Sequence, residues 1–496
     1  MRESGILLPI SSLPSQYGIG CFSKEAYEFV DQLALTNQKY WQILPLGPTS
    51  YGDSPYQSFS TYAGNPYFID LNTLIEEGVL TKKECDLADF GSDSRFIDYG
   101  KLYKARYKLL RKAYERSNIS QNPEFQTFQE ENAWWLDDYS LFMAVKGFFQ
   151  DECWDKWPED IKKRYGYALD YYREQLYFEV EFQKYMQFEF SIQWKKLKTY
   201  ANENGIRIIG DIPIYVAYDS ADTWAHPELF QLDEENVPLA VAGCPPDGFA
   251  ADGQLWGNPL YRWDYHRQTG YAWWMQRLSY AFYLYDVVRI DHFRGFDEYF
   301  SIPYGDTTAR NGHWEKGPGI ELFHRMKEVL GERDVIAEDL GYVTDSVRQM
   351  VFESGFPGMK VFEFAFDSRD TGCAGDYLPH NYPVNSVVYT GTHDNATLIG
   401  WYQDIPKEGR EMLRDYIHDY VTSDRSLHWS VICRVMGSPA RICMIPMQDY
   451  LGLDNTCRIN TPSTLGTNWK WRLLDGEFTS DLQNKIKKLV RIYQRN

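Results

Sequence analysis

Long apolar runs are missing from this 496-residue chain, so nothing in it reads as a membrane-spanning helix. The start, Met1-Arg2-Glu3-Ser4-Gly5, runs directly into a strand pattern and has no apolar leader segment. Positive charge is in short supply: 51 Lys and Arg against 70 Asp and Glu leave a net charge of −19. That balance disfavours nucleic acid and anionic membranes as partners and suits a neutral substrate. The eight cysteines (Cys21, Cys85, Cys153, Cys244, Cys373, Cys433, Cys443, Cys457) are scattered and form no C-x-x-C. In a chain of this length they read as reduced thiols of a cytoplasmic protein. The nine histidines form no H-E-x-x-H or similar cluster. The expectation is therefore no metal and no cofactor.

What is plentiful is aromatic: 17% of residues, with 16 Trp and 38 Tyr. Such rings mostly build cores, but they also suit surfaces that stack on flat ligands such as sugars.

Short β-branched or apolar runs recur along the chain. They lie at residues 5–10, 40–46, 207–216, 287–291, 334–338, 359–364, 386–392 and 442–446. Most of the intervals have room for a helix, as at Lys24 to Thr36. Eight such units predict an α/β fold of the (β/α)8 TIM-barrel type. Two intervals are too long to be loops. Residues 50–204 read as an inserted, largely helical subdomain. Within it Phe178 to Asn204 carries apolar positions at Phe178, Phe182, Met186, Phe190, Trp194 and Leu197 and stops at Gly205. Residues 217–275 read as a lid over a binding site. Its Pro-, Gly- and Trp-rich centre, from Gly243 to Phe249 and Gly253 to Pro259, looks too irregular for the interior of an element. The expectation is one catalytic barrel over 1–496 with these two insertions.

Acidic residues sit where the strand patterns end: Arg289-Ile290-Asp291-His292, Ala337-Glu338-Asp339-Leu340-Gly341 and Gly391-Thr392-His393-Asp394-Asn395. A fourth, Gly210-Asp211-Ile212-Pro213, carries its acid within the strand. One such acid is an ordinary helix cap. Several converging on one barrel mouth repel each other and need a function. Period-2 geometry puts Arg289 and Asp291 on one face, where the guanidinium should keep the aspartate ionised. That makes Asp291 the nucleophile of a glycosyl transfer and Glu338 the acid/base, its pKa raised by burial and nearby negative charge. Asp394 with His393 could grip sugar hydroxyls most tightly in the transition state. His292 reads as a structural hydrogen-bonder.

These four motifs resemble the signature regions of the α-amylase clan, in the form found in amylomaltases (4-α-glucanotransferases, disproportionating enzymes). Gly52-Asp53-Ser54-Pro55-Tyr56-Gln57-Ser58, Pro245-Pro246-Asp247, Gly253-Gln254-Leu255-Trp256-Gly257-Asn258-Pro259 and Asn468-Trp469-Lys470-Trp471-Arg472 extend the resemblance to nearly the whole chain. It implies an inserted barrel without a C-terminal β-domain and a retaining double displacement. Asp291 would carry the glycosyl group, Glu338 would act as acid then base, and Asp394 would stabilise the transition state. Arg289 and His393 match supporting residues. Tyr56 would stack on a donor glucose, while Asp247, Gln254 and Trp256 would belong to the lid; Asp211 and Asn460 match by position and neighbourhood. For Tyr56 and Trp256 the bland alternative is core packing, which their Pro- and Gly-rich surroundings argue against.

The implied activity moves a segment of an α-1,4-glucan (starch, glycogen or maltooligosaccharide) to the 4-hydroxyl of glucose or another glucan. No nucleic acid, membrane or obligate protein partner is expected. The rivals are an α-glucan hydrolase, a catalytically silent glucan-binding protein and a metal-dependent barrel enzyme.

Overall fold

A computed structural model describes residues 2–50, 52–246, 251–341, 343–366 and 374–496. Eight parallel strands close into a barrel: β1 (Glu3–Leu7), β2 (Tyr40–Gln42), β3 (Arg207–Ile212), β4 (Val287–Ile290), β5 (Val335–Ala337), β6 (Gly358–Val361), β7 (Ser386–Tyr389) and β8 (Ile442–Pro446). Each strand pairs with its neighbours in chain order, and β8 pairs with β1. All eight expected strands are present, and the sheet closes.

The alternation of side chains explains why the runs are apolar throughout. Ile209 and Val287 point into the barrel with Leu7, Ile336, Met359, Val387 and Met444. Their chain neighbours Ile208 and Val288 face outward into the larger core beneath the helices. A strand buried on both faces carries no polar stripe. Arg289 and Asp211 belong to the inward set, being two residues on from Val287 and Ile209. Gly210 faces outward because the Tyr285 ring packs there; a Cβ would meet that ring at 2.1 Å.

Between β2 and β3 the chain leaves the barrel for four longer helices, Tyr99–Ser117, Pro123–Phe148, Gly166–Gln175 and Tyr177–Glu203. The last ends at Asn204, followed by Gly205 in the left-handed region at φ +74°. Five of the six apolar positions expected to form its buried stripe are buried. Phe178, in the first turn, is exposed. The second, third and fourth share an aromatic core that includes Trp135 and Phe142, joined by Trp154, Trp157 and Trp224 from other segments.

The stretch from Gly243 to Pro259 corrects the sequence reading. Ala240–Cys244 and Gln254–Pro259 are strands of a four-stranded antiparallel sheet completed by Glu298–Pro303 and His313–Lys316. The irregular composition is accommodated by a register shift between Val241 and Gly243, opposite a segment in which Gly257 adopts φ +78°. Boundaries also move. β6 gives way to a 3-10 turn at Phe362–Ala365, and β7 ends at Tyr389, so Asp394 lies on a loop rather than at the strand end. After β8 come Met447–Leu451 and the helix Ser480–Ile492, which buries Ile486 and Val490. Among the described residues no helix is long and apolar enough to cross a membrane.

Candidate active site

Strand register assembles the first half of the site. Asp211 of β3 stands opposite Arg289 of β4, and Ile290 opposite Ala337 of β5. Asp291 and Glu338, each the next residue along, therefore leave adjoining strands at the same height. Arg289, buried inside the barrel, places Nη1 2.5 Å from Asp211 Oδ2 and 3.0 Å from Asp291 Oδ1. Its Nε points at Met359 Sδ, 3.4 Å away. One guanidinium thus bridges a buried aspartate and one that opens to the mouth, with Asp291's side chain 28% exposed.

The turn after β4 supports Glu338. His292 adopts φ +51°, and its backbone N–H donates to Glu338 Oε2 at 2.7 Å. Leu340 N–H donates to Oε1 at 2.9 Å. Each carboxyl oxygen keeps a further lone pair, so the group is held while a proton can still ride on it.

Burial pushes Asp291 up to about 6, against the pull of Arg289. Desolvation outweighs the one shared positive charge, yet a group at about 6 is still mainly ionised at neutral pH. Glu338 is lifted further, to about 7, by burial and by the negative charge of Asp291. The two titrate as a pair, and the proton they share near neutrality resides mainly on Glu338.

Loops assemble the second half. Burial pushes Asp394 up, but His393 and the Asn460 amide override it and hold the carboxyl well below the usual range. Asn460 Nδ2 donates to Asp394 Oδ1 at 2.6 Å, Arg458 Nη2 donates to the Asp394 carbonyl at 2.5 Å, and Arg458 Nε to that of Asn460 at 2.6 Å. His393 Nε2 lies within ion-pair distance of Asp394 Oδ2, at 3.3 Å, and neither ring nitrogen has a hydrogen-bond partner. The buried imidazole thus has hydrogen-bonding capacity to spare for a ligand.

Tyr56 joins the halves. Its hydroxyl donates to Asp211 Oδ2 at 2.8 Å, and its ring stacks on His393 at 5.2 Å and 12°. Trp469 completes the aromatic wall, 5.9 Å from Tyr56 and 6.1 Å from His393. Gln57 Nε2 donates to Asn258 Oδ1 at 3.0 Å, tying the Tyr56 loop to the strand Gln254–Pro259. On that strand Trp256 donates to Gln254 Oε1 at 3.0 Å and sets its ring edge-to-face with His292 at 4.9 Å. The His292 Nε2 is buried and unpartnered. Its support of the site comes through the hydrogen bond of its backbone N–H and through ring packing.

Ten of the eleven expected site residues are described, and they converge on this mouth; Asp247 lies outside the described residues. Sequence reasoning missed Trp469, Arg458 and Asp449. Trp469 stood inside a motif already noticed, Asn468 to Arg472, but gave no sign that it faced the site. Asp449 is buried and accepts from Thr390 Oγ1 at 2.5 Å and Leu398 N–H at 2.8 Å, fixing both ends of the loop that carries His393 and Asp394. No pattern near residue 449 signals that role. Among the described residues no group of three or more His, Cys, Asp or Glu is arranged to hold a metal ion.

A closed parallel barrel whose C-terminal mouth gathers carboxylates of opposed proton affinity, an arginine and stacking aromatics defines a carbohydrate-active barrel enzyme. Comparison with known proteins narrows that class. Residues 8–477 match the family model described as 4-alpha-glucanotransferase. The 4-alpha-glucanotransferase of Clostridium butyricum is 50% identical over 98% of this chain and 99% of its own, and that of Thermus thermophilus 44% identical over 100% and 99%. The structure of the Streptococcus agalactiae amylomaltase in complex with acarbose superposes with a TM-score of 0.96, at 40% identity and full coverage of both chains. The chain belongs to the 4-alpha-glucanotransferase family.

Proposed function

We propose that this enzyme cleaves an α-1,4-glucan and transfers the fragment to the 4-hydroxyl of glucose or another glucan, with retention. Asp291 attacks the anomeric carbon while Glu338 donates its proton to the glycosidic oxygen, and the leaving chain departs with a free 4-hydroxyl. Glu338, now ionised, takes the proton from the acceptor's 4-hydroxyl. That oxygen attacks the anomeric carbon and releases Asp291. Bonds and protons balance over the cycle.

The observation that carries this reading is the asymmetric pair on β4 and β5: Asp291 beside Arg289 is the more acidic, Glu338 the proton holder. Asp394 and His393 bind sugar hydroxyls across from them and tighten as charge develops at the anomeric carbon. Arg289 and Asp211 orient Asp291, and Asn460 orients Asp394. Tyr56 offers a face to a sugar ring. The segments 50–204 and 217–275 form the walls, with Gln254 and Trp256 over the glucan.

A cleft of about 1530 Å³ supports a polymeric substrate. Its lining joins Asp53, Gln57 and Gly257, sequence neighbours of Tyr56 and Trp256, to Phe148 and Leu176 of the inserted segment. Transfer exceeds hydrolysis because the lid and an occupied acceptor site exclude water. We place the enzyme in the cytoplasm, acting without nucleic acid, membrane or an obligate protein partner. The net charge of −19 supports that.

Incubation with maltotriose tests the reading. Longer maltooligosaccharides plus glucose, at constant reducing ends, are expected. Rising reducing ends with only shorter products would make the enzyme a hydrolase.

A further inference from the structure

Six large rings between residues 148 and 178 are exposed: Phe148, Tyr165, Tyr167, Tyr171, Tyr177 and Phe178. Single exposed apolar residues are ordinary, but this many in one short stretch of chain call for a reason. The helix Gly166–Gln175 satisfies its own packing with Ala168 and Tyr172, which are buried. Tyr167 and Tyr171 stand four residues apart, each one position before a buried residue and so about 100° round the helix from the packed face; they are 66% and 59% exposed. Four-residue spacing on a helix sets two Cβ atoms about 5–6 Å apart on one face. Tyr165 extends the row, its ring 5.9 Å from that of Tyr167. Asp170 and Glu174 share the face and are exposed.

The row is continuous with the substrate cleft. Phe148 is among the residues that line that cleft. Its ring lies 5.9 Å from Tyr172, and Tyr172 lies 5.2 Å from Tyr171. A chain of rings thus leads from the cleft out to the helix surface.

We infer that Tyr165, Tyr167 and Tyr171 form an auxiliary binding surface for polymeric α-glucan, outside the catalytic mouth. Flat rings with polar tips, interleaved with carboxylates that accept from sugar hydroxyls, suit successive glucose units better than an apolar protein face. The surface holds a branched or long polymer beside the cleft and leaves short oligosaccharides unaffected. The inference rests on the substrate class proposed above, and the test separates the two.

The experiment is native electrophoresis through gels containing glycogen, comparing the wild type with Y167A/Y171A, alongside maltotriose kinetics for both. The positions are exposed and outside the core, so the fold should survive; circular dichroism and Tm verify it. The expected result is that the wild type is retarded and that the variant binds glycogen roughly fivefold or more weakly, with kcat and KM for maltotriose unchanged. A single-residue control, Phe352→Ala at another exposed ring, should migrate like the wild type. Equal retardation of wild type and Y167A/Y171A would overturn the inference. So would absence of wild-type retardation in an enzyme that still disproportionates maltotriose. A drop in sedimentation mass of the double variant without loss of glycogen binding would also overturn it, by making the face a contact between copies. Failure of the wild type to act on maltotriose would instead strike the proposed function.

Discussion

The two halves of the mouth are built by different means. Asp211, Arg289, Asp291 and Glu338 are placed by strand register: once β3, β4 and β5 pair, the four groups have little freedom. Asp394 and His393 sit on a loop beyond β7, and side chains from the segment after β8 hold them: Asp449, Arg458 and Asn460. The sheet delivers the groups proposed to exchange a proton and form a bond. The clamped loop delivers the groups proposed to follow the sugar as it flattens. A register-held group resists any single substitution nearby, whereas a clamped group depends on its clamps. That difference can be tested.

The largest effect should come from Asp291→Asn. Removing the nucleophile is expected to lower kcat by about 10,000-fold or more in maltotriose disproportionation, with glucan binding retained. Near wild-type turnover would contradict the assignment. Because Asp291 raises the Glu338 pKa, the same variant should let Glu338 titrate at lower pH, which carboxyl-resolved NMR would detect.

Glu338→Gln comes next, with kcat on maltotriose expected to fall about 100- to 10,000-fold. A glycosyl fluoride donor needs no protonation of its leaving group, so fluoride release should recover most of the first-step rate. In the wild type, kcat/KM should rise with pH through about 6 as Asp291 ionises and fall through about 7 as Glu338 loses its proton. A profile flat across that range would break the asymmetry on which the account rests.

A smaller loss is expected from Asn460→Ala. It removes one hydrogen bond to an ionised carboxylate, which corresponds to roughly a ten- to hundredfold loss in kcat/KM. The pH limbs should stay near 6 and 7, because the register-held half is untouched. Limbs that move with Asn460 would mean that the halves are not independent.

Asp449→Ala should cost least in specific activity per folded molecule and most visibly lower stability. It leaves the Leu398 N–H buried without its acceptor, a loss of about 1–3 kcal/mol in denaturant unfolding. No change in stability would show that the loop needs no such anchor.

The same contrast explains what could be read from the sequence. The barrel was legible because strands buried on both faces appear as short apolar runs. The paired residues on β4 were legible because Arg289 and Asp291 are two apart. Asp394 could be picked out by its motif, but its position on a loop and its dependence on Asn460 could not. Those partners are joined by packing, which leaves no periodic trace between residues 394 and 460. Gln254 to Pro259 misled in the opposite way: glycine and proline suggested a loop, yet a bulged strand tolerates both when its partner supplies the register. Net acidity at the pair was also out of reach. Whether Arg289 or desolvation prevails at Asp291 depends on how deeply the pair is enclosed, a property of the closed barrel rather than of two residues.

The most direct test of the central claim is to trap the glycosyl-enzyme. Glu338→Gln would be incubated with α-maltosyl fluoride, quenched in acid, and the labelled peptide sequenced by tandem mass spectrometry. Without a base to activate the acceptor the intermediate should accumulate, with the sugar attached to Asp291 in the peptide that follows β4. A sugar on Asp394 instead, or fluoride release with no adduct at all, would contradict the account.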